Sequence, residues 1–485
     1  MSANPMQSSH CTIDAPENDL WRWSGAEIAT AVCRGDVSAV EVVESVYARI
    51  AAVNPMINGI VHMDREHALT DAGALDRRRQ AGDPLGPLAG VPVSIKLNVD
   101  VAGEATSNGN PLWLDRIAEA DSGVVSNLRR AGAVVIGRTN APPLSFRWFT
   151  ENPIYGRTHN PWSPAVTSGG SSGGAGAAVA SGMGPIAHGT DIAGSIRYPA
   201  FVNGVVGLRA TTGRIPGFQA TAPQRFFGLQ AMSAQGPIAR TVSDARLGLE
   251  AMASDGGIDP VWVDARLNYD DDETPTRVAL VDEIRGIDIS PEIQQALSSA
   301  AAALIDAGYT VERVALPDLK RGMELWESIV MSECNLGMLA AVDAIGDATI
   351  STPVRNMAAC APEPSLAGYA AAIASRDEMR RSWNILFQRH PLVLMPTSCR
   401  QPLPWGADQG SVDEMRRLLE IQSPLMAVAV CGLPGLHVPT GLSQGLPVGV
   451  QLVAPAFREM RLLHAGAMIE AAHGTLTQQL WERPW

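Results

Sequence analysis

Short apolar runs recur at 91–95, 133–136, 205–208, 278–281 and 392–395, each of strand length and rich in β-branched residues. Helical patterns lie between several of them. One covers 122–131 and ends at Gly132; another opens Ser290-Pro291-Glu292 and stops at Gly308. Serine caps such a helix, proline fits its first position because an N–H there has no partner, and glycine ends it. Strands alternating with helices predict an α/β fold around a central, twisted, mixed β-sheet covered by helices on both faces. Upstream, Ser24-Gly25-Ala26-Glu27 and Ser38-Ala39-Val40-Glu41 both fit the capping box, and Val42, Val43, Val46, Ile50 and Val53 follow at helical spacing.

One stretch looks foreign to such a fold. TSGGSSGGAG (167–176) has the composition of a flexible linker, yet helix-capable AAVASG (177–182) and strand-like PIAHGT (185–190) follow without a compositional break. A hinge would carry longer polar flanks. The acidic YDDDE (269–273) is the better surface loop. A phosphate loop would need Lys after its second glycine, where Ala175 follows Gly174, and Ser195, in Ile192-Ala193-Gly194-Ser195-Ile196-Arg197, does not stand in a G-x-S-x-G nucleophile elbow. Ser195 with His188 and Asp191 would supply the residue types of a Ser-His-Asp triad, but three such types within eight positions occur readily by chance; His188 reads as an ordinary strand residue.

Other classes lose ground on charge and spacing. A net charge of −13 without a basic run disfavours nucleic-acid binding. The nine histidines show no HxH or HExxH spacing, so no metal site is implied, and the six scattered cysteines read as free buried thiols. The first twenty residues carry neither a basic n-region nor an apolar h-region, so a cytoplasmic protein is expected. The most apolar segment, PLMAVAVCGLPGL (424–436), is broken by Gly and Pro and reads as buried core rather than a membrane span.

The segment GGSSGGAGAAVASGMGPIAHGTDIAGSIRYPA (169–200) strongly resembles the core of the amidase signature family. The resemblance extends through GPLAGVPVSIKLN (86–98), VVSNLRRAGAVVIGRTNAP (124–142), NPIYGRTHNPW (152–162), GVVGLRATTGRIPG (204–217), GPIARTVSD (236–244) and GLPGLHVPTGLSQGLPVGVQLVAP (432–455). It implies a polar tail over 1–20 and one large domain over 21–485. The catalytic core would span about 60–245, and a C-terminal part, about 275–485, would complete the sheet and the substrate pocket. It also implies a Ser-Ser-Lys triad: Lys96 as ultimate base, Ser171, usually preceded by a cis peptide bond, as proton relay, and Ser195 as nucleophile. Backbone N–H groups of Ile192, Ala193, Gly194 and Ser195 form the implied oxyanion hole, where one lost donor costs about 3–4 kcal/mol in other hydrolases. Ser172, Asp191 and Arg197 are implied as loop support.

The chemistry suits these residue types. A serine hydroxyl needs a base to become a nucleophile, and a lysine is a base only when burial disfavours its ammonium. Apolar neighbours such as Ile95 and Leu97 would supply that burial, unless they point away from Lys96. Three departures from the family pattern leave the triad intact: Leu97 where many members have Asp, Ala193 for a usual glycine, and Pro143 for an acidic residue. Ser145, Phe146, Trp148, Phe226 and Phe227 are expected at the substrate pocket, with Trp326 and Trp405 in similarly variable stretches; each aromatic fits core packing equally well. The expected activity is hydrolysis of a small aryl or hydrophobic amide, without cofactor or metal. The expected partners are that small-molecule substrate and a second copy of the chain in a homodimer, with neither nucleic acid nor membrane. Two other readings stay open: the amidase-type component of a tRNA-dependent glutamine amidotransferase, and a non-catalytic binding relative.

Overall fold

A computed structural model describes residues 19–483, so the polar tail predicted over 1–20 falls almost wholly outside the described residues. The strands, in chain order, are β1 (Ile60–His62), β2 (Pro92–Lys96), β3 (Val134–Thr139), β4 (Glu151–Asn152), β5 (Gly156–Arg157), β6 (Ile186–Asp191), β7 (Val206–Arg209), β8 (Ala234–Ala239), β9 (Arg277–Leu280), β10 (Thr310–Arg313), β11 (Leu392–Pro396), β12 (Gly435–Ser443) and β13 (Leu446–Val453). Eleven form one sheet in the order β1-β3-β2-β6-β8-β7-β12-β13-β11-β9-β10, while β4 and β5 pair separately. Pairing is parallel for β2 with β3 and β6, and for β9 with β10 and β11. The remaining neighbours are antiparallel, so the sheet is mixed, as predicted.

All five apolar runs are strands in this sheet, and the helices predicted over 122–131 and from Pro291 form as Gly123–Arg130 and Pro291–Asp306. Both capping boxes close, with the Ser24 and Ser38 side chains accepting from the Glu27 and Glu41 N–H groups. PLMAVAVCGLPGL is buried as expected, as the helix Ser423–Val430 leading into β12. The acidic stretch is a surface loop as expected, with Asp270, Asp271 and Glu273 exposed, and Asp272 is the exception. Asp272 is buried because the Arg458 guanidinium, at 2.6 Å, compensates its charge, while the exposed Asp271 reaches Arg461 at 2.5 Å. Among the cysteines, Cys334, Cys399 and Cys431 are buried, Cys360 is half-buried and Cys33 is exposed; Cys11 lies outside the described residues. No helix among the described residues is long and apolar enough to cross a membrane.

The sheet's connectivity positions the site. Lys96 closes β2 and Asp191 closes the adjacent parallel strand β6, so both stand at the carboxyl edge, where open α/β sheets bind ligands. The Gly/Ser stretch is the opposite of a linker. Every residue from 166 to 180 is buried, and Gly173–Ala180 is a helix in the core.

Candidate active site

Within β2, alternation puts Ile95 on the face opposite Lys96, so this apolar neighbour does not desolvate it. The Gly/Ser loop covers it instead. Lys96 is fully buried, with its Nζ 2.7 Å from Ser171 Oγ and 2.9 Å from Thr190 Oγ1. Asn98 Nδ2 donates to the same Thr190 oxygen at 3.0 Å. Burial pulls the Lys96 amine down to about 7, against the opposing pull of the Asp191 charge.

The loop holding Ser171 is pinned by its own polar atoms. Thr150 Oγ1 donates to the Gly169 carbonyl at 2.8 Å, Asn203 Nδ2 to the Ser168 carbonyl at 2.8 Å, and Asn160 Nδ2 to the Thr167 carbonyl at 2.8 Å. The Gly170–Ser171 peptide bond is cis. A Cβ on Gly170 would lie 2.8 Å from the Phe149 nitrogen, so the backbone passes where no side chain fits.

Beyond β6 the chain turns through 191–196. Each carbonyl from Asp191 to Ser195 has a donor: Arg209 Nη1 for Asp191, Trp326 Nε1 at 2.9 Å for Ile192, Trp148 Nε1 at 2.9 Å for Ala193, the Tyr198 N–H at 2.7 Å for Gly194, and the Ser172 N–H at 3.2 Å for Ser195. In a trans peptide the C=O and the next N–H point opposite ways, so fixing the carbonyls aims the N–H groups of 192–196. Two of these meet the Asp191 carboxylate, Gly194 at 2.8 Å and Ile196 at 3.2 Å. Among the described residues no acceptor meets the N–H of Ile192, Ala193 or Ser195. Ala193 keeps a negative φ, so its methyl is accommodated without strain. Gly194 has φ +98°, and a Cβ there would lie 2.8 Å from Leu425 Cβ; only glycine fits.

Asp191 itself is buried against two arginines. Burial would raise its carboxyl, but Arg197 (2.9 Å) and Arg209 (3.4 Å), with the backbone donors, hold it well below the usual carboxylate range. Ser172 sits 3.4 Å from both the N–H and the carbonyl of Thr190. His188 lies in β6 with Nε2 2.5 Å from Gln235 Oε1.

Ser171 and Ser195 line one cavity of about 350 Å³. Ser145, Phe146 and Phe226 also face it, whereas Phe227 lines a separate groove with Arg376 and Arg380. Phe226 caps the short helix that Phe227 begins, and consecutive positions there diverge in direction. Ser145 and Leu144 both have positive φ, a conformation that costs a residue with a Cβ about 1–2 kcal/mol. The Ser145 hydroxyl donates to Asn108 Oδ1 at 2.7 Å, which ties this bend into the cavity wall. Trp148 stands behind the 191–195 turn, in a narrow cleft that also touches Ser195. Trp405 packs on Phe149 at 5.9 Å between ring centres, and this cavity's wall does not include it. Glu333 and Val330 line the cavity although nothing in the sequence singles them out.

A family model described as Amidase matches residues 41–463. The chain belongs to the amidase family. This amidase is 42% identical over 472 residues to an indoleacetamide hydrolase of Bradyrhizobium diazoefficiens, an alignment covering 96% of this chain and 90% of that relative. It is 34% identical to the A-type component of the glutamyl-tRNA(Gln) amidotransferase of Salinispora tropica, covering 95% and 99%. A bacterial aryl acylamidase of the amidase signature family superposes with a TM-score of 0.83 at 27% identity, over 96% of this chain and 99% of that one. The amidase is therefore a hydrolase of amide C–N bonds.

Proposed function

We propose that this amidase hydrolyses small arylalkyl carboxamides, of the indoleacetamide kind, to the carboxylate and ammonia through an acyl-enzyme on Ser195. The observation that carries the reading is the buried 2.7 Å contact between Lys96 Nζ and Ser171 Oγ, at the wall of a cavity that Ser195 shares. A lysine held near 7 is in good part neutral at physiological pH and accepts a proton.

Ser195 Oγ bonds to the amide carbon while its proton passes to Ser171, and the Ser171 proton passes to Lys96. The developing oxyanion meets the N–H groups of Ile192, Ala193 and Ser195; the Gly194 N–H instead serves Asp191 and stiffens the turn. The C–N bond then breaks as the proton returns through Ser171 to nitrogen, so ammonia leaves rather than an amide anion. Water attacks the ester by the same relay, the carboxylate departs, and Ser195 regains its proton. Ser172, Asp191 and Arg197 hold the loops and touch no reacting atom.

The aromatic and aliphatic wall formed by Phe146, Ile192, Leu229 and Val330 supports an apolar acyl group. The higher identity to indoleacetamide hydrolase than to the amidotransferase component supports the small-amide reading over glutamine. The test is ammonia release from indole-3-acetamide, phenylacetamide, aliphatic amides, anilides and glutamine. Arylacetamides are expected to give the highest kcat/KM. Turnover of glutamine with none of the arylacetamides would overturn the reading.

A further inference from the structure

One carboxylate on the cavity has no part in this chemistry. Glu333 stands in the last turns of the helix Leu319–Cys334, is 7% exposed, and lines the same cavity as Ser195. Its Oε1 accepts two hydrogen bonds, from the Gly228 N–H at 2.6 Å and the Tyr369 hydroxyl at 2.7 Å. No described residue donates to Oε2, and no lysine, arginine or histidine among them pairs with the group. A carboxylate is an acceptor only, so Oε2, without a donor among the described residues, is free to accept from a donor brought by a ligand.

The helix sets where that donor must be. Trp326, Val330 and Glu333 fall at i, i+4 and i+7, hence on one face. Trp326 holds the Ile192 carbonyl in the turn beside Ser195, Val330 lines the cavity, and Glu333 follows two turns on, about 10 Å along the axis. Leu229 and Met338 add apolar wall to the same cavity. A substrate with its carbonyl at Ser195 thus runs past these apolar side chains toward Glu333, whose Oε2 is the one oxygen of the carboxylates lining the cavity (Asp191, Asp259, Glu333) that has no donor among the described residues.

We propose that Glu333 is a specificity determinant which accepts a hydrogen bond from a neutral ring N–H at the distal end of the acyl group. A heteroaromatic N–H brings one donor to that one free oxygen, whereas an ammonium brings three. The preferred substrates are acetamides of N–H heteroarenes over rings of equal shape without the donor. This rests on the arylalkyl-amide reading above.

The test compares wild-type kcat/KM for indole-3-acetamide with benzofuran-3-acetamide and benzothiophene-3-acetamide, which keep the shape and lack the N–H. Hydrogen bonds to charged acceptors predict a preference of about tenfold to a hundredfold for the indole. Glu333→Leu should bring the ratio close to one, and Glu333→Gln, which keeps an amide oxygen for Gly228 and Tyr369, should reduce it at least about threefold. The wild-type ratio stands even if a variant fails to fold. Equal wild-type turnover of the three rings overturns the assignment to Glu333 and leaves the amidase reading intact. Turnover of none of them, nor of phenylacetamide, overturns the reading itself.

Discussion

The two walls of the cavity are built on different terms. One comes from strand ends and the turns that follow them: Lys96 closing β2, Asp191 closing β6, and the loops carrying Ser171 and Ser195. There the carbonyls from Asp191 to Ser195 all have donors, and Lys96, Ser171 and Asp191 are buried. The other comes from the helix Leu319–Cys334 and the segment around Phe226, which is 49% exposed at the cavity. A fixed polar wall suits a reaction common to all amides, and an apolar, partly open wall suits a choice among acyl groups. Substitutions on the first should slow every substrate alike; those on the second should redistribute preference.

The largest effect tests the first wall. Ser195→Ala should lower kcat/KM by about 10⁴-fold or more on every amide, because the residues of a relay act as a unit. A loss confined to some amides would break the comparison. Next comes pH. In the proposed relay Lys96 accepts a proton only when neutral, so activity should fall about tenfold per pH unit below roughly 7, and by about a hundredfold at pH 5, in initial rates. The stability sign follows from the same amine. Its value in the fold, about 7, lies below the ordinary 10.5, so between these limits the unfolded chain holds more protons, and stability should rise with pH. Melting temperatures should show that rise in the wild type and lose it in Lys96→Met.

Trp326→Phe removes the donor to the Ile192 carbonyl while keeping the ring that stacks on Phe146 at 6.3 Å. Freeing that carbonyl loosens the aim of the Ala193 N–H, and kcat should drop about tenfold to a hundredfold with KM little changed. A KM effect alone would move Trp326 to the substrate wall. The smallest effect belongs to Phe226→Ala at the mouth, where a half-exposed ring should change kcat/KM by less than about threefold, and only for large acyl groups.

The same division governs what can be read from the chain. The catalytic wall is legible because its residues close strand runs or sit in short Gly-rich segments, so Lys96, Ser171 and Ser195 stand in local patterns. The five apolar runs are strands for the same reason: a buried strand is a continuous run. The helices Leu319–Cys334, Met338–Asp343, Ala348–Cys360 and Leu366–Phe387 have no comparable signal. In the last three the buried positions are sparse: in Leu366–Phe387, Ala372, Met379, Trp383 and Phe387 are the buried residues of 22. Trp148 and Trp326 are legible as aromatics near a pocket but not as donors, since the partner of an indole N–H is set by a chain segment distant in sequence. Glu333 has no signal at all; one acidic residue in a helix looks like any solvated one until a cavity forms beside it.

Asp191 carries one consequence beyond the shape of its turn. Its charge is also what opposes the fall of the Lys96 amine, so the carboxylate that freezes the turn also supports the basicity that the proposed relay needs. Geometry and basicity are thus two outputs of one ionised group. Evolution or engineering that adjusts either by altering that charge adjusts the other in the same step.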